Sequence, residues 1–297
     1  MSDLRTEFKN WQTQSSRNTL AFASRATGIS RPVISDWAAN KYKGSNDNVE
    51  SKIKAFLVVQ NNKRKAVNLQ VQFTDTLVSM KIDEVLDICG TDNDIVVITG
   101  DSGLGKTTAL NHYLKDSVND LLIEVDQSYS AFSLVKVLHK KLCAHTGKEA
   151  MCDMLEEIIA KLKNSDRKII IDEAEYLPTK ALDILRRIND KAGVGLALVG
   201  LPRLEANLRG RRGEHAQLHN RVGVFCKLEK ISLEDASYIV KMIAPESSDK
   251  SISLLYSRVS STRALVKLTR RANRIATINN REIDAEIIEA ASNHLML

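Results

Sequence analysis

At 297 residues, with 43% hydrophobic and 27% charged side chains, the chain has material for two or three domains and the composition of an ordinary soluble protein. Aromatic content of 5% disfavours an all-β sandwich, no apolar run approaches the roughly 20 residues of a membrane helix, and the four scattered cysteines lack any C-x-x-C pair. The net charge of +6 is unevenly held: residues 1–66 carry 12 Lys/Arg against 5 Asp/Glu, and residues 258–281 carry 7 basic and no acidic side chains.

Two basic segments on an otherwise slightly acidic chain suggest two surfaces that meet polyanions, nucleic acid being the simplest. A solvated basic face without a partner is the alternative for each. Cys89, Cys143, Cys152 and Cys226 read as reduced thiols, with no His at zinc-ligand spacing. The opening MSDLRTEFKNW has no apolar stretch of the kind a signal sequence needs, so a cytoplasmic protein is expected.

Residues 1–66 read as a helical module. A first helix is predicted near Leu4–Gln14 and a second over Thr19–Thr27, with Leu20, Ala21, Ala23 and Ala26 at helical spacing. Gly28 suits a left-handed helix end. Ser30 reads as an N-cap and Pro32 as a first-turn residue of a third helix, Arg31–Asn40, whose Val33, Ile34 and Trp37 turn inward. Helix, glycine, turn and capped helix form a helix-turn-helix pattern. The stretch TLAFASRATGISRPVISDWAANKYKG resembles phage-repressor-type DNA-binding domains. That resemblance implies that Ser30, Arg31, Ser35 and Lys41 face DNA; a helical hairpin used for protein contact is the alternative. Asn61–Lys65, NNKRK, reads as a polar, basic linker. From 67 to 231 a nucleotide-binding core is expected, entered through Val67–Ile88, read as a helix or as a strand-like start followed by a helix.

Ile95–Thr107, IVVITGDSGLGKT, organises that core. A short β-branched run, a G-x-x-x-x-G-K-[ST] loop and a following helix, Thr108–Asp116, make a phosphate-binding loop in its required setting. Its backbone N–H groups and helix N-terminus suit phosphate, so Gly100, Asp101, Ser102, Gly103, Leu104, Gly105, Lys106, Thr107 and Thr108 are assigned to ATP. Lys106 reaches the β- and γ-phosphates, and the Thr107 hydroxyl is a Mg²⁺ ligand.

Leu121–Val125 reads as a second strand, followed by helices over Ala131–His145 and Met151–Lys163. Lys168–Glu175, KIIIDEAE, carries the Walker B pattern. Asp172 is the second Mg²⁺ residue and Glu173 the base that orients and deprotonates the attacking water. A helix over Lys180–Lys191 and a strand over Gly195–Gly200 continue the alternation, which means a parallel sheet covered by helices on both faces.

The order of parts after Walker B resembles the AAA+ ATPases. In that resemblance the strand Gly195–Gly200 ends in a polar sensor residue, and this chain has Leu201 instead. Arg203–Arg212 is a basic helix and loop, with Arg203, Arg209, Arg211 and Arg212 as candidate DNA contacts. Arg221, just before a last strand at Val224–Leu228, is the candidate arginine finger acting on a neighbouring subunit, with Arg211 and Arg212 behind it. A surface arginine or a DNA-phosphate contact is the alternative. From Ser232 to residue 297 the sequence is all-helical, opened by a Ser232–Asp235 capping box and continuing through Ser247–Val259, Arg263–Thr277 and Glu282–Leu295. It resembles the small helical lid of AAA+ proteins, and Ser260-Ser261-Thr262-Arg263 makes Arg263 the second sensor. Lys267, Arg270, Arg271 and Arg274 form a basic stripe suited to nucleic-acid phosphates.

The expected fold is therefore an α/β AAA+ P-loop NTPase, with a parallel sheet between helices, an N-terminal helix-turn-helix domain and a C-terminal helical lid. Taken together, ISRPVISDWAANKYKG, GDSGLGKT, IIIDEAEYL, GLALVGLPRLEANL and STRALVKL resemble the transposition protein B family of Mu-like phages. The resemblance implies a weak ATPase with ATP and Mg²⁺ as cofactors. It also implies filaments on double-stranded DNA with little sequence preference, and delivery of that DNA to a transposase. A nucleotide-switched transcription regulator and a loader-type ATPase with protein partners are the competing readings.

Overall fold

The computed structural model describes residues 4–16, 18–67, 73–117, 119–143, 150–210 and 220–293. The chain divides into two compact units, Met1–Gln70 and Val71–Leu297.

Among the described residues, the first unit holds four helices: α1 (Leu4–Thr13), α2 (Leu20–Thr27), α3 (Arg31–Ala38) and α4 (Asn46–Val67). Thr19 caps α2 by accepting from the Phe22 N–H at 3.2 Å, and Gly28 ends it with φ +69°, a conformation that costs glycine little. Ser30 occupies the N-cap position of α3, but its side chain makes no capping bond; Pro32 in the first turn fixes the helix start instead. The inward residues of the sequence reading, Ile34 and Trp37, are fully buried, and Val33 packs at the margin. Phe8, Trp11, Trp37 and Phe56 knit the unit, with Phe8 edge-on to Trp37 at 5.9 Å and Trp11 edge-on to Phe56 at 4.9 Å. Residues 61–65 continue α4 rather than forming a linker. Lys and Arg are good helix formers and Asn is tolerated, so a polar, basic stretch continues an exposed helix as readily as it forms a linker. Both tryptophans of the chain lie here, so tryptophan emission reports this unit alone. Phe8→Ala is expected to cost about 3–5 kcal/mol, visible as an earlier denaturant midpoint by that emission.

The second unit is wound around a five-stranded parallel sheet in the order β2-β3-β4-β1-β5. Its elements run α5 (Leu77–Asp92), β1 (Ile95–Thr99), α6 (Lys106–Tyr113), β2 (Leu121–Glu124), α7 (Ala131–Leu142), α8 (Met151–Leu162) and β3 (Lys168–Asp172). A 3-10 turn (Ala174–Tyr176) leads to α9 (Thr179–Ala192), β4 (Gly195–Gly200), α10 (Arg203–Arg209) and β5 (Val222–Lys227). Four further helices close the chain: α11 (Leu233–Ile243), α12 (Asp249–Ser257), α13 (Thr262–Asn279) and α14 (Ala285–Ser292). The expected helix ends at His145 and Leu295 lie outside the described residues. Among the described residues, no helix is long and apolar enough to cross a membrane.

The strands explain why the sheet is central. Every residue of β1 and β4 is buried, because each alternates its side chains between two cores. Ile95 and Val97 pack on one face with Leu134, Ile158 and Leu185 from α7, α8 and α9. Val96 and Ile98 pack on the other with Ile82 and Leu86 of α5, Leu110 of α6, and Ile239, Leu265 and Leu268 of the C-terminal helices. Those last helices therefore share the core of the nucleotide fold and have none of their own. The register aligns Thr99 of β1 with Gly200 of β4, and β3 ends beside them at Asp172. The carboxyl ends of three adjacent strands thus meet at one edge, where open α/β sheets bind ligands.

Candidate functional site

The loop between β1 and α6 needs its glycines. Gly103 and Gly105 have φ of +80° and +99°, and a Cβ on Gly103 would approach the Ser261 Oγ to 3.0 Å. The loop is stitched to β4 by the Gly100 N–H donating to Gly200 O at 3.1 Å. Lys106 opens α6 and folds back, its Nζ donating to Gly100 O at 2.6 Å and Asp101 O at 2.9 Å. Burial pushes its ammonium below the ordinary lysine value, against the pull of Asp172 and Glu175.

Thr107 and Asp172 meet as their spacing in sequence could not show. The Thr107 hydroxyl donates to Asp172 Oδ2 at 2.6 Å, and Asp172 is 1% exposed. Two hard oxygen donors converging beside a phosphate loop fit Mg²⁺, which would offset phosphate charge there. Asp172 Oδ1 also accepts the Glu173 N–H at 2.9 Å, and Glu173 has φ +57°. That left-handed turn sets the Asp172 and Glu173 side chains side by side at the end of β3. Burial, then the neighbouring Asp172, Glu124 and Glu175 carboxylates, raise the Glu173 carboxyl above its usual range.

A cavity of about 830 Å³ opens over these groups, within the size of ligand sites. The phosphate loop from Ser102 to Thr108, Asp172, Glu173 and Arg263 all line it. Arg263 is set in place by its own backbone, whose N–H donates to Gly103 O at 3.0 Å, and by Thr262 Oγ1 donating to Leu104 O at 3.4 Å. The far wall was not foreseen. It includes Phe73, Thr76, Asn111, His112 and Lys115, with the Phe73 and His112 rings stacked 3.7 Å apart. The legible signal was the T-x-x-S capping box that starts α5. The Leu77 N–H there donates to Asp235 Oδ1 of α11 at 3.1 Å, tying this wall to the C-terminal helices.

Leu201, at the position of the missing polar sensor, also lines the cavity. Its backbone N–H donates to Glu175 Oε2 at 3.1 Å. The Glu175 side chain is 2% exposed, pairs with Arg203 at 3.5 Å, and fills the space that Gly200 leaves; a Cβ there would overlap its carboxylate.

Other expected residues are placed differently. Arg203 leans on Glu175 and covers the Tyr176 ring at 4.5 Å, and Arg209 pairs with Glu205 at 2.6 Å. Both are engaged within α10 and its neighbours, although their outer faces remain exposed. Arg221 does not line its own chain's cavity; it is 63% exposed and 3.8 Å from Asp190. Arg211 and Arg212 lie outside the described residues. Ser30, Arg31, Ser35 and Lys41 are exposed on the first unit. Lys267 and Arg270 line the cavity, whereas Arg271 and Arg274 do not.

The cysteines are free thiols: Cys89, Cys143 and Cys226 buried, Cys152 exposed. Burial pushes the Cys89 thiol up to about 12, leaving it inert. Cys143 does approach His139 and Glu157, with donor atoms within 4.8 Å of one another, although no sequence spacing suggested it. There His139 Nε2 lies 2.8 Å from Glu157 Oε2, a hydrogen bond that joins α7 to α8.

Comparison with known proteins agrees with this geometry. The AAA domain family matches residues 90–208. The chain is 27% identical over 253 residues to the Mu-like prophage FluMu DNA transposition protein B of Haemophilus influenzae, covering 82% of this chain and 86% of that one. It is 26% identical over 242 residues to the ATP-dependent target DNA activator B of Escherichia phage Mu, covering 80% and 75%. Among solved structures, the Aeropyrum pernix ORC2 protein in its ADP form superposes with a TM-score of 0.58 at 14% identity, over 76% of this chain and 71% of that one. The Aeropyrum pernix ORC1 protein, solved in complex with DNA, gives 0.53 at 16%, over 74% of this chain and 66% of that one, just under two thirds. Identities that low speak for the fold alone. The second unit is thus an AAA-type P-loop fold, and the chain as a whole is similar, over about four fifths of its length, to the transposition proteins B of Mu-like phages.

Proposed function

We propose that the chain is an ATP-hydrolysing, DNA-binding protein that assembles on target DNA with little sequence preference and delivers it to a transposase. ATP hydrolysis, weak alone and stimulated by DNA and transposase, releases it. The observation that carries this reading is the similarity, over about four fifths of the chain, to proteins named for DNA transposition and ATP-dependent target DNA activation. A phosphate loop alone would suit any NTPase.

The site supports the chemistry. Lys106, now on the Gly100 and Asp101 carbonyls, would turn to phosphate oxygens, and Thr107 with Asp172 would hold Mg²⁺ to offset their charge. Glu173 orients a water for in-line attack and takes its proton. Arg221, exposed and only loosely paired, is presented to a neighbouring subunit, where it offsets charge on the transferring phosphoryl group. Assembly then depends on bound ATP, because the nucleotide is shared between copies.

Electron microscopy on random-sequence duplex DNA tests this. Filaments are expected with ATP, absent with ADP, and persistent with ATP in Glu173→Gln. Isolated particles in every state would sink the proposal. The exposed Ser30, Arg31, Ser35 and Lys41 around α3 favour one second reading, a nucleotide-switched operator-binding regulator. A preference of about 10³ for one operator over random DNA would support it.

A further inference from the structure

We infer that Lys267 and Arg270 bind the nucleoside triphosphate, not DNA. The inference rests on the reading of the cavity as an ATP site and adds two residues to it. They follow Arg263 on one face of α13, at steps of four and three residues, so all three point the same way. With a rise of about 1.5 Å per residue, the three span about 10 Å along one wall. The start of α13 is fixed against the phosphate loop by the Arg263 N–H to Gly103 O bond and the Thr262 contact with Leu104. From that anchored end the helix runs along the cavity, with Val266 adding apolar lining between the cations.

Size and charge both favour the nucleotide. A space of about 830 Å³ accepts a nucleoside triphosphate, whereas a DNA duplex is far too wide to enter it. Five basic side chains line the cavity against three acidic ones. Without Lys267 and Arg270 the wall would be electrically balanced; with them it holds a surplus of two, the complement of a tetra-anionic triphosphate carrying one divalent cation. Arg274, a turn further on, and Arg271, rotated about 100° from Arg270, do not line the cavity. They stay available to a polyanion outside. The basic stripe of α13 is therefore divided between two ligands.

Titration of the full chain with a fluorescent ATP analogue and Mg²⁺ tests the division. Lys267→Ala/Arg270→Ala is expected to weaken nucleotide binding by about tenfold or more. The salt dependence of duplex-DNA binding, measured at saturating nucleotide, should keep its slope. Lys267→Arg/Arg270→Lys should retain most of the nucleotide affinity, separating lost charge from lost fold. An unchanged nucleotide affinity in the alanine double, or a DNA salt slope shallower by about two, overturns the inference. Lys106→Ala reports on the cavity separately. If it loses ATP while the alanine double does not, this inference alone falls. If parent and Lys106→Ala bind ATP alike, the nucleotide site lies elsewhere and both readings fall.

Discussion

Glu173→Gln is expected to slow ATP hydrolysis by about a hundredfold or more while leaving nucleotide affinity nearly intact. The amide keeps the size of the side chain and the left-handed turn but cannot take a proton from water. Single-turnover hydrolysis separates the two effects, because it reads the chemical step after binding is complete. The wild-type rate carries a second signature. In the role proposed for Glu173 the carboxylate is the active form, and burial together with Asp172, Glu124 and Glu175 holds the proton on it to a higher pH than on an ordinary glutamate. The rate should therefore fall as pH drops through that raised value, and begin to fall earlier than an unperturbed glutamate would allow. In Glu173→Gln this acid limb should disappear. A variant that hydrolyses at the parent rate would remove Glu173 from the mechanism.

Glu175→Ala is expected to cost about 2–3 kcal/mol in stability and to slow hydrolysis by about tenfold or more. The first effect follows from the Leu201 N–H, which loses its acceptor inside a packed space, and from the volume left beside Gly200. The second follows because Glu175 ties the turn bearing Glu173 to the end of β4. Asn207 reinforces that tie, its side-chain amide donating to Glu175 O at 2.9 Å. Glu175→Gln keeps an acceptor for the Leu201 N–H and gives up only the ion pair with Arg203. That arginine is half-exposed, so the pair contributes little. Denaturant unfolding followed by far-UV circular dichroism, beside single-turnover rates, should rank Gln close to the parent and Ala well below. Equal losses in both variants would mean that the charge, rather than the acceptor, holds the loop.

What was legible in the sequence follows from how local each signal is. Runs such as Ile95–Thr99 and Gly195–Gly200 read as strands because a sheet covered on both faces needs unbroken apolar stretches. The phosphate loop and the Walker B end are local too, since backbone shape and residue order stay within a few positions. The Phe73 wall was not local. It depends on α5 meeting α6 and α11, a junction held by a Leu77–Asp235 bond across 158 positions. The stripe on α13 shows the intermediate case. Its charge and period were visible as Lys267, Arg270, Arg271 and Arg274, but which of them enter the cavity was decided by the anchoring of one helix end on Gly103. At Asn61–Lys65 composition misled, because charged residues suit an exposed helix as well as a linker.

The core shared by β1 and the last four helices also dictates an order of events during synthesis. Among the described residues, the core of the first unit is in hand by Leu57, and this unit is free to fold early. The phosphate loop is translated soon after, by Thr107, and α5 and α6 supply the first cover of one sheet face, but that core is complete only when Leu265 to Ala291 have been made. A nascent chain therefore carries an unfinished core, and an unfinished cavity wall, until its final sixth. An unfinished or truncated copy lacks the cavity wall that Thr262, Arg263, Val266, Lys267 and Arg270 provide.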